Sequence, residues 1–313
     1  MKIAVIGPGA MGCLLAASLA EHNEVWLLDH NPDRAALLNR QGLLLEDNQG
    51  RSKPCFVKVI TDPRLAAPVK LAFLCVKSGR VRETLGTARL LCDSDSLLVA
   101  LQNGIGHLSH LAELPGDIAW AVGVTSQGAT LADPGHVLHQ GHGITRIGLA
   151  PELSAPPDQT GEKLILAART LTRAGIATEA VADILNHIWA KLLVNVGINA
   201  LTVIHDCPNG ALLEIPEARA VMRAAIREGR EVASKSGIVL DGDPLKAAAE
   251  VCRATAANIS SMLQDVRAHR ATEIDAINGA LVRKAAELDV PVPVNRELTR
   301  KIKEIESAYL NFA

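Results

Sequence analysis

Two stretches of the chain combine residue types and spacings that can do chemistry. The first is Gly7-Pro8-Gly9-Ala10-Met11-Gly12, a G-x-G-x-x-G run that directly follows a strand-like segment and opens a helix-like one. Each glycine has a physical task in such a turn. The first permits the tight bend, the second lets the backbone approach a pyrophosphate, and the third allows close helix–strand packing. The helix then points free N–H groups and the positive end of its dipole at the phosphates. The second stretch is Lys191-x-x-x-Asn195-x-x-x-Asn199, inside an otherwise apolar run from Ile184 to Ile204. At about 100° per residue a four-residue step drifts by only about 40°, so the three side chains share one helix face, roughly 6 Å apart. Leu192, Leu193, Val196, Ile198 and Leu201 surround them. A lysine in such surroundings is expected to be partly desolvated, which lowers its pKa toward the range useful for proton transfer. The two amides offer neutral donors and acceptors that hold a polar ligand without titrating. An exposed face of an ordinary amphipathic helix, the alternative, normally carries Glu, Lys and Arg.

The elements that must position these groups follow from the hydrophobic pattern. Lys2–Gly7, Glu24–Asp29, Leu71–Val76 and Leu97–Leu101 are short apolar runs separated by helical lengths, the pattern of a buried parallel sheet built from βαβ units. Ala10–Glu21 is a helix rich in Ala and Leu, and Ile118–Leu149 reads as a glycine-broken, β-rich close to the first domain. Leu153–Gly161 is a polar, proline-containing loop, followed by a helix over Glu162–Arg173 and a short strand near Ala177–Val181. Beyond Asp183 the chain reads as long helices, interrupted by the turn-rich Val290–Asn295 before one last helix. A dinucleotide-binding domain over 1–182 and a helical substrate-binding and catalytic domain over 183–313 are therefore expected. In fold class this is an α/β protein: an N-terminal Rossmann-type parallel sheet followed by an all-helical C-terminal domain.

Further candidates sit at the carboxyl ends of the strands, the edge that faces the ligand crevice in an open α/β sheet. Asp29 ends the second strand, 22 residues after Gly7. An acidic side chain there hydrogen-bonds a ribose 2′-hydroxyl and repels a 2′-phosphate, which favours NAD(H). Arg34 and Lys77 are the nearby groups that can hold such a phosphate instead, and Asp29 or Asn31 can equally serve as a helix cap. Lys77 follows the third strand and meets a phosphate or simply solvent. Asn103 follows the fourth and meets the nicotinamide or substrate, or serves the turn signalled by Gln102-Asn103-Gly104. A last cluster comprises Asn258–Asp265 and Thr272–Asp275. Thr272-x-x-Asp275 can be a capping box for the helix carrying Ile277, Leu281 and Val282, which leaves Asn258, Ser261 and Glu273 as candidates for ligand contacts.

Taken in order, these residues resemble the ketopantoate reductase (2-dehydropantoate 2-reductase) family. The resemblance covers nearly the whole chain. It rests on GPGAMG at 7–12, Lys77, QNG at 102–104, the W-x-K-L-x-x-N-x-x-x-N run from Trp189 to Asn199, CPNG at 207–210, NISSMLQD at 258–265 and TEIDAING at 272–279. It implies reduction of the 2-oxo acid 2-dehydropantoate to (R)-pantoate by NADPH, on the way to pantothenate and coenzyme A. It makes Lys191 the general acid and Asn195, Asn199, Asn209, Asn258 and Ser261 the substrate-positioning residues. Gly7, Pro8, Gly9, Ala10, Met11, Gly12, Lys77, Asn103, Gly128 and Glu273 would contact the cofactor or lie beside it. Bottom-up, Asn209 in its proline turn and Gly128 in its loop can each be structural only. One departure stands out: the family implies a basic residue just after the second strand to grip the 2′-phosphate, and this chain has Leu28-Asp29-His30-Asn31-Pro32. An NADH-dependent D-2-hydroxyacid dehydrogenase of the same superfamily is the second reading, and a non-catalytic dinucleotide sensor, which would not need Lys191, a third.

Composition narrows the partners. Aromatic residues are only 2% of the 313, too few for a base-stacking nucleic-acid platform, and a formal net charge of −2 gives no electrostatic pull toward nucleic acid or an anionic membrane. Ile184–Ile204 is apolar enough to raise a membrane span, but Asn186, His187, Lys191, Asn195 and Asn199 would be costly in hydrocarbon. Six scattered cysteines without a C-x-x-C pair suggest reduced thiols and a cytoplasmic protein; no secretory signal pattern is visible. No cluster has metal-ligand spacing, so no metal is implied. The apolar helices of the second domain are equally consistent with a homodimer surface and with one intramolecular core.

Overall fold

In the computed structural model, which describes residues 1–150 and 159–310, contacts divide the chain into two compact units. One comprises Met1–Gln102 and Leu108–Ile184; the other comprises Asn103–His107 and the chain from Leu185 onward. A boundary at residue 182 keeps Asn103–His107 in the first unit, whereas contacts assign these five residues to the second.

The first unit is built on the short apolar runs. They form β1 (Lys2–Ile6), β2 (Glu24–Leu28), β3 (Leu43–Asp47), β4 (Ser52–Cys55), β5 (Lys58–Ile60), β6 (Leu71–Leu74), β7 (Leu97–Ala100), β8 (Ala119–Thr125), β9 (Gly128–Asp133), β10 (His136–Gly141), β11 (Thr145–Gly148) and β12 (Thr178–Ala180). The helices of this unit are α1 (Ala10–Leu19), α2 (Pro32–Gln41), α3 (Val81–Leu91), α4 (Leu108–Leu111) and α5 (Thr160–Arg173). Eight strands make the main sheet in the order β12-β11-β8-β7-β6-β1-β2-β5, and only the β8–β11 pair is antiparallel. Every residue of β6 and β7 is buried, as expected of central parallel strands covered on both faces. From β1 the chain builds outward through β2 and β5, then returns to lay β6 on the other side of β1. The strand order therefore reverses between β1 and β6, the position beyond whose carboxyl ends open α/β sheets hold their ligands.

The sequence reading treats Ile118–Leu149 as one β-rich segment. In the structure β8 and β11 join the main sheet, whereas β9 and β10 pair with β3 and β4 in a separate four-stranded sheet, β4-β3-β10-β9. Those partner strands lie about 90 residues away in sequence, which local pattern does not report. Of the expected Leu153–Gly161 loop, residues 153–158 lie outside the described residues.

The second unit has no strand among its described residues and is built on α6 (Ile184–Ile204), α7 (Pro216–Lys235), α8 (Pro244–Ala254), α9 (Ser261–Arg267), α10 (Asn278–Glu287) and α11 (Pro293–Leu310). Its core gathers Leu192, Val196 and Leu201 of α6 with Ile226 of α7, Leu281 of α10 and Ile302 of α11. The helix α6 is long and apolar enough to cross a membrane, but 67% of its apolar window is buried inside the protein, as in a core helix. Two expectations are corrected here. Thr272 and Asp275 do not cap α10: the helix starts at Asn278, Thr272 Oγ1 accepts instead from the Ile274 amide at 3.2 Å, and Asp275 pairs with Lys303 at 2.6 Å. Val290–Asn295 is not all turn, because α11 begins at Pro293. Glu228 of α7 caps it, accepting from the amides of Val294 (2.8 Å) and Asn295 (2.9 Å) and from Asn295 Nδ2 (2.7 Å). Asn295 in turn accepts from Asn278 Nδ2 at 3.0 Å, so one buried polar chain ties α7, α10 and α11.

Three hydrogen bonds to one carboxylate, each stronger than a neutral pair, make Glu228 a stability residue. Glu228→Ala is expected to cost about 2 kcal/mol in urea unfolding, and Glu228→Gln, which keeps an acceptor, less. Equal stability of wild type and Glu228→Ala would remove the capping role.

Candidate active site

The phosphate loop is set by sterics within the first unit. Gly7 has φ +105°, and a Cβ there would lie 2.8 Å from Cγ1 of Val76, the residue before Lys77. A Cβ on Gly12 would collide with the carbonyl oxygen of Gly7. Gly9 differs: a Cβ there would meet nothing within 4 Å, so the fold itself does not require glycine. What requires it is something that occupies that space, and the close approach of a pyrophosphate is the chemistry that fits. The first turn of α1 carries no acidic side chain and its N-cap, Gly9, supplies no capping group, which leaves its N–H groups open to an anion. Pro8, Ala10 and Met11 complete the loop, and Lys77, half-buried, stands at the entry to the turn that follows β6.

Asp29 departs from its expected role. Its side chain is fully buried and is gripped by Arg34, with Nε 2.5 Å from Oδ2 and Nη2 2.6 Å from Oδ1, while the Asn31 amide also donates to Oδ1 at 2.9 Å. The charge that would repel a 2′-phosphate is thus matched by a guanidinium whose side chain keeps 34% exposure. The cause is local: Asn31 caps α2 by accepting from the Arg34 amide, and Pro32 opens the helix, which turns Arg34 back onto the end of β2.

In the second unit three residues far apart in sequence meet. Lys191 Nζ donates to Asn103 Oδ1 at 2.8 Å, and Asn103 Nδ2 donates to Glu273 Oε2 at 3.0 Å. An ammonium only donates and a carboxylate only accepts, which fixes which way the Asn103 amide faces. Burial pushes the Lys191 pKa down to about 8, against the opposing pull of the Glu273 charge. Asn103 and Glu273, expected beside the cofactor, are here the partners that hold the lysine. Their positions are built in: Gly104 has φ +79° and closes on the Ala276 carbonyl, to which Ile105 donates at 3.2 Å, and the Thr272 amide donates to buried Glu306 at 2.6 Å.

Asn195 and Asn199 continue the Lys191 face of α6. Asn199 is only 6% exposed, and neither amide side chain has a hydrogen-bond partner among the described residues. A buried amide seldom goes unpartnered, so Asn199, with half-buried Asn195 one turn before it, is fit to receive a polar ligand. Past Asn199 the same helix reaches α9: Thr202 Oγ1 and Ser260 Oγ lie 2.6 Å apart, and Ser260, the cap of α9, accepts from Leu263 N at 3.1 Å. Thr202 and Ser260 are not among the residues singled out from the sequence, where Leu263 rather than Glu or Gln stands three positions after Ser260 and no capping box marks it. Ser261 is exposed beside it. The backbone joins Asn209 to Asn258 (N to O, 2.9 Å); the Asn209 amide donates to Thr255 at 2.8 Å, and Asn258 has an exposed side chain. Gly128 opens β9 opposite Gly141, whose Cα would be 3.1 Å from a Cβ, a packing reason for glycine.

A nucleotide-phosphate turn in one unit and a desolvated lysine with two amides on one helix in the other are the parts of a reductase. Two family models divide the chain: ketopantoate reductase PanE/ApbA matches residues 3–152, and ketopantoate reductase PanE/ApbA C terminal matches 183–306. The chain belongs to the ketopantoate reductase family. A 2-dehydropantoate 2-reductase of Halobacterium salinarum is 35% identical over 97% of this chain and 98% of its own, and one of Pyrococcus horikoshii 32% over 98% of each. Among solved structures, a PanE/ApbA family ketopantoate reductase from Ralstonia eutropha JMP134 is 30% identical with a TM-score of 0.88, covering 99% of both chains. D-mandelate dehydrogenase, solved with NADH and anilino(oxo)acetate, also has a TM-score of 0.88, at 27% identity over 99% of both chains.

The contrast between Gly9 and Gly12 is testable. Gly9→Ala is expected to leave thermal stability within about 1 kcal/mol of wild type while weakening dinucleotide binding at least about tenfold. Gly12→Ala is expected to lose about 1–3 kcal/mol or more of stability. Unchanged dinucleotide affinity in Gly9→Ala would contradict the pyrophosphate reading of the loop.

Proposed function

We propose that this ketopantoate reductase family member reduces 2-dehydropantoate to (R)-pantoate with hydride from NAD(P)H, a step toward pantothenate and coenzyme A. The observation that carries the proposal is the Lys191–Asn103–Glu273 chain, with the two open amides of Asn195 and Asn199 beside it. The cofactor, when bound, supplies a hydride to C2 of the substrate. The electron pair displaced onto the carbonyl oxygen then needs a proton, and the Lys191 ammonium gives it, forming the hydroxyl and leaving a neutral amine that solvent reprotonates. Asn103 aims the ammonium, and Glu273 favours its charged form. Asn195 and Asn199 hold the carboxylate or hydroxyl of the substrate; Asn258 and Ser261 add contacts from the segment around the start of α9. On this reading the enzyme works on a small acid in the cytoplasm, with no nucleic acid or membrane as partner; all six cysteines are free thiols.

For the cofactor, NADPH is the better fit. Arg34 cancels the Asp29 charge and leaves part of its guanidinium exposed for a 2′-phosphate. The second reading, an NADH-dependent D-2-hydroxyacid dehydrogenase, is favoured by the acidic residue at the end of β2 and by the likeness to D-mandelate dehydrogenase.

Turnover of 2-dehydropantoate with NADPH and NADH in parallel separates the two. An NADPH efficiency at least about tenfold the higher supports the ketopantoate reading with Arg34 as the phosphate ligand. Turnover confined to NADH and to aromatic 2-oxo acids would establish the other. Lys191→Ala is expected to lower kcat by about 10²- to 10⁴-fold with NADPH affinity unchanged. Because reduction needs the protonated lysine, activity should be level below pH 8 and fall above the Lys191 pKa of about 8. Glu273→Gln removes the charge that supports the ammonium and should move that break to lower pH. A profile flat through pH 10 would rule out Lys191 as the proton donor.

A further inference from the structure

Away from Lys191, the second unit carries a concentration of positive charge that the reductase reading does not use. Between α7 and α8 lies a groove of about 570 Å³ into which Arg219, Arg223, Arg227, Lys246 and Arg253 project. Arg219, Arg223 and Arg227 follow one another at four-residue intervals on α7 and so form one stripe. Like charges at that spacing destabilise a helix by about 0.2–0.5 kcal/mol per pair. None of Arg219, Arg223, Arg227 and Arg253 has an ion-pair or side-chain hydrogen-bond partner among the described residues. The groove holds two acids, Glu214 and Asp243, and the latter is occupied in capping α8, accepting from Leu245 N at 2.9 Å. A chain of net charge −2 thus gathers five cations in one concavity.

We propose that this groove binds a small metabolite carrying at least two phosphate groups, at a site separate from the dinucleotide turn. Arginine forks match phosphate oxygens two at a time, and the stripe from Arg219 to Arg227 spans about 12 Å of helix, longer than one carboxylate or one phosphate engages. The volume falls in the small-molecule range of about 300–1,000 Å³. Met222 and Leu245 give the groove an apolar lining for the remainder of such a ligand. Nucleic acid fits less well, since the groove contains no aromatic residue on which a base could stack.

The test is calorimetric titration of inorganic pyrophosphate, and separately of ATP, into protein saturated with NADPH, so that the phosphate turn of the first unit is already filled. Saturable one-site binding is expected at physiological ionic strength. The double substitution Arg223→Gln/Arg227→Gln, on the exposed face of α7, should weaken it at least about tenfold and leave NADPH affinity unchanged. Absence of saturable binding of either probe, or equal affinity in the double variant, would overturn the proposal.

Discussion

The proton chemistry of the second unit turns on one awkward constraint: a lysine must be taken largely out of water and still be able to carry a proton. Removing an ammonium from solvent costs several kcal/mol unless other groups compensate. Here the compensation is graded. Asn103 gives Lys191 an acceptor at 2.8 Å, and Glu273 bonds that amide from its other side. Burial outweighs the Glu273 charge and sets the pKa near 8, where the group is protonated at neutral pH and acidic enough to give its proton away.

Much of the surrounding structure exists to fix those three side chains. The helix α6 is apolar on nearly every side because it runs through a core, and Lys191, Asn195 and Asn199 share one of its faces. Gly104 lets the chain close on Ala276, which sets Asn103. Glu306 holds the Thr272 amide, which sets the turn bearing Glu273, while Glu228 and Asn295 anchor the helix that supplies Glu306. A change in any of these supports acts on the chemistry without touching substrate.

The parts legible in the sequence were those encoded locally. The glycine spacing at 7–12 gave the phosphate turn, and a four-residue period of polar groups in an apolar run gave α6 with its reactive face. What the sequence did not reveal depends on contacts between distant or oppositely facing residues. Nothing local says that Asn103 meets a lysine 88 positions on, so that contact is not legible in the sequence. The sequence puts Arg34 near Asp29 without showing that they pair, because the pairing depends on the tight Asn31–Pro32 helix start between them. Strand β3 is not legible from local pattern because its partner β10 lies far along the chain. Thr272 and Asp275 matched a capping pattern by spacing alone, but the helix begins three residues later, where the buried Asn278 amide is committed to Asn295.

The central claim is that Lys191 titrates near neutrality because of where it is held. Heteronuclear NMR of the lysine side chains, with Lys191 assigned by substitution, reads this without any substrate. The account predicts a Lys191 midpoint of about 8, lower still in Glu273→Gln. A midpoint at the ordinary lysine value of about 10.4 in both proteins would contradict it.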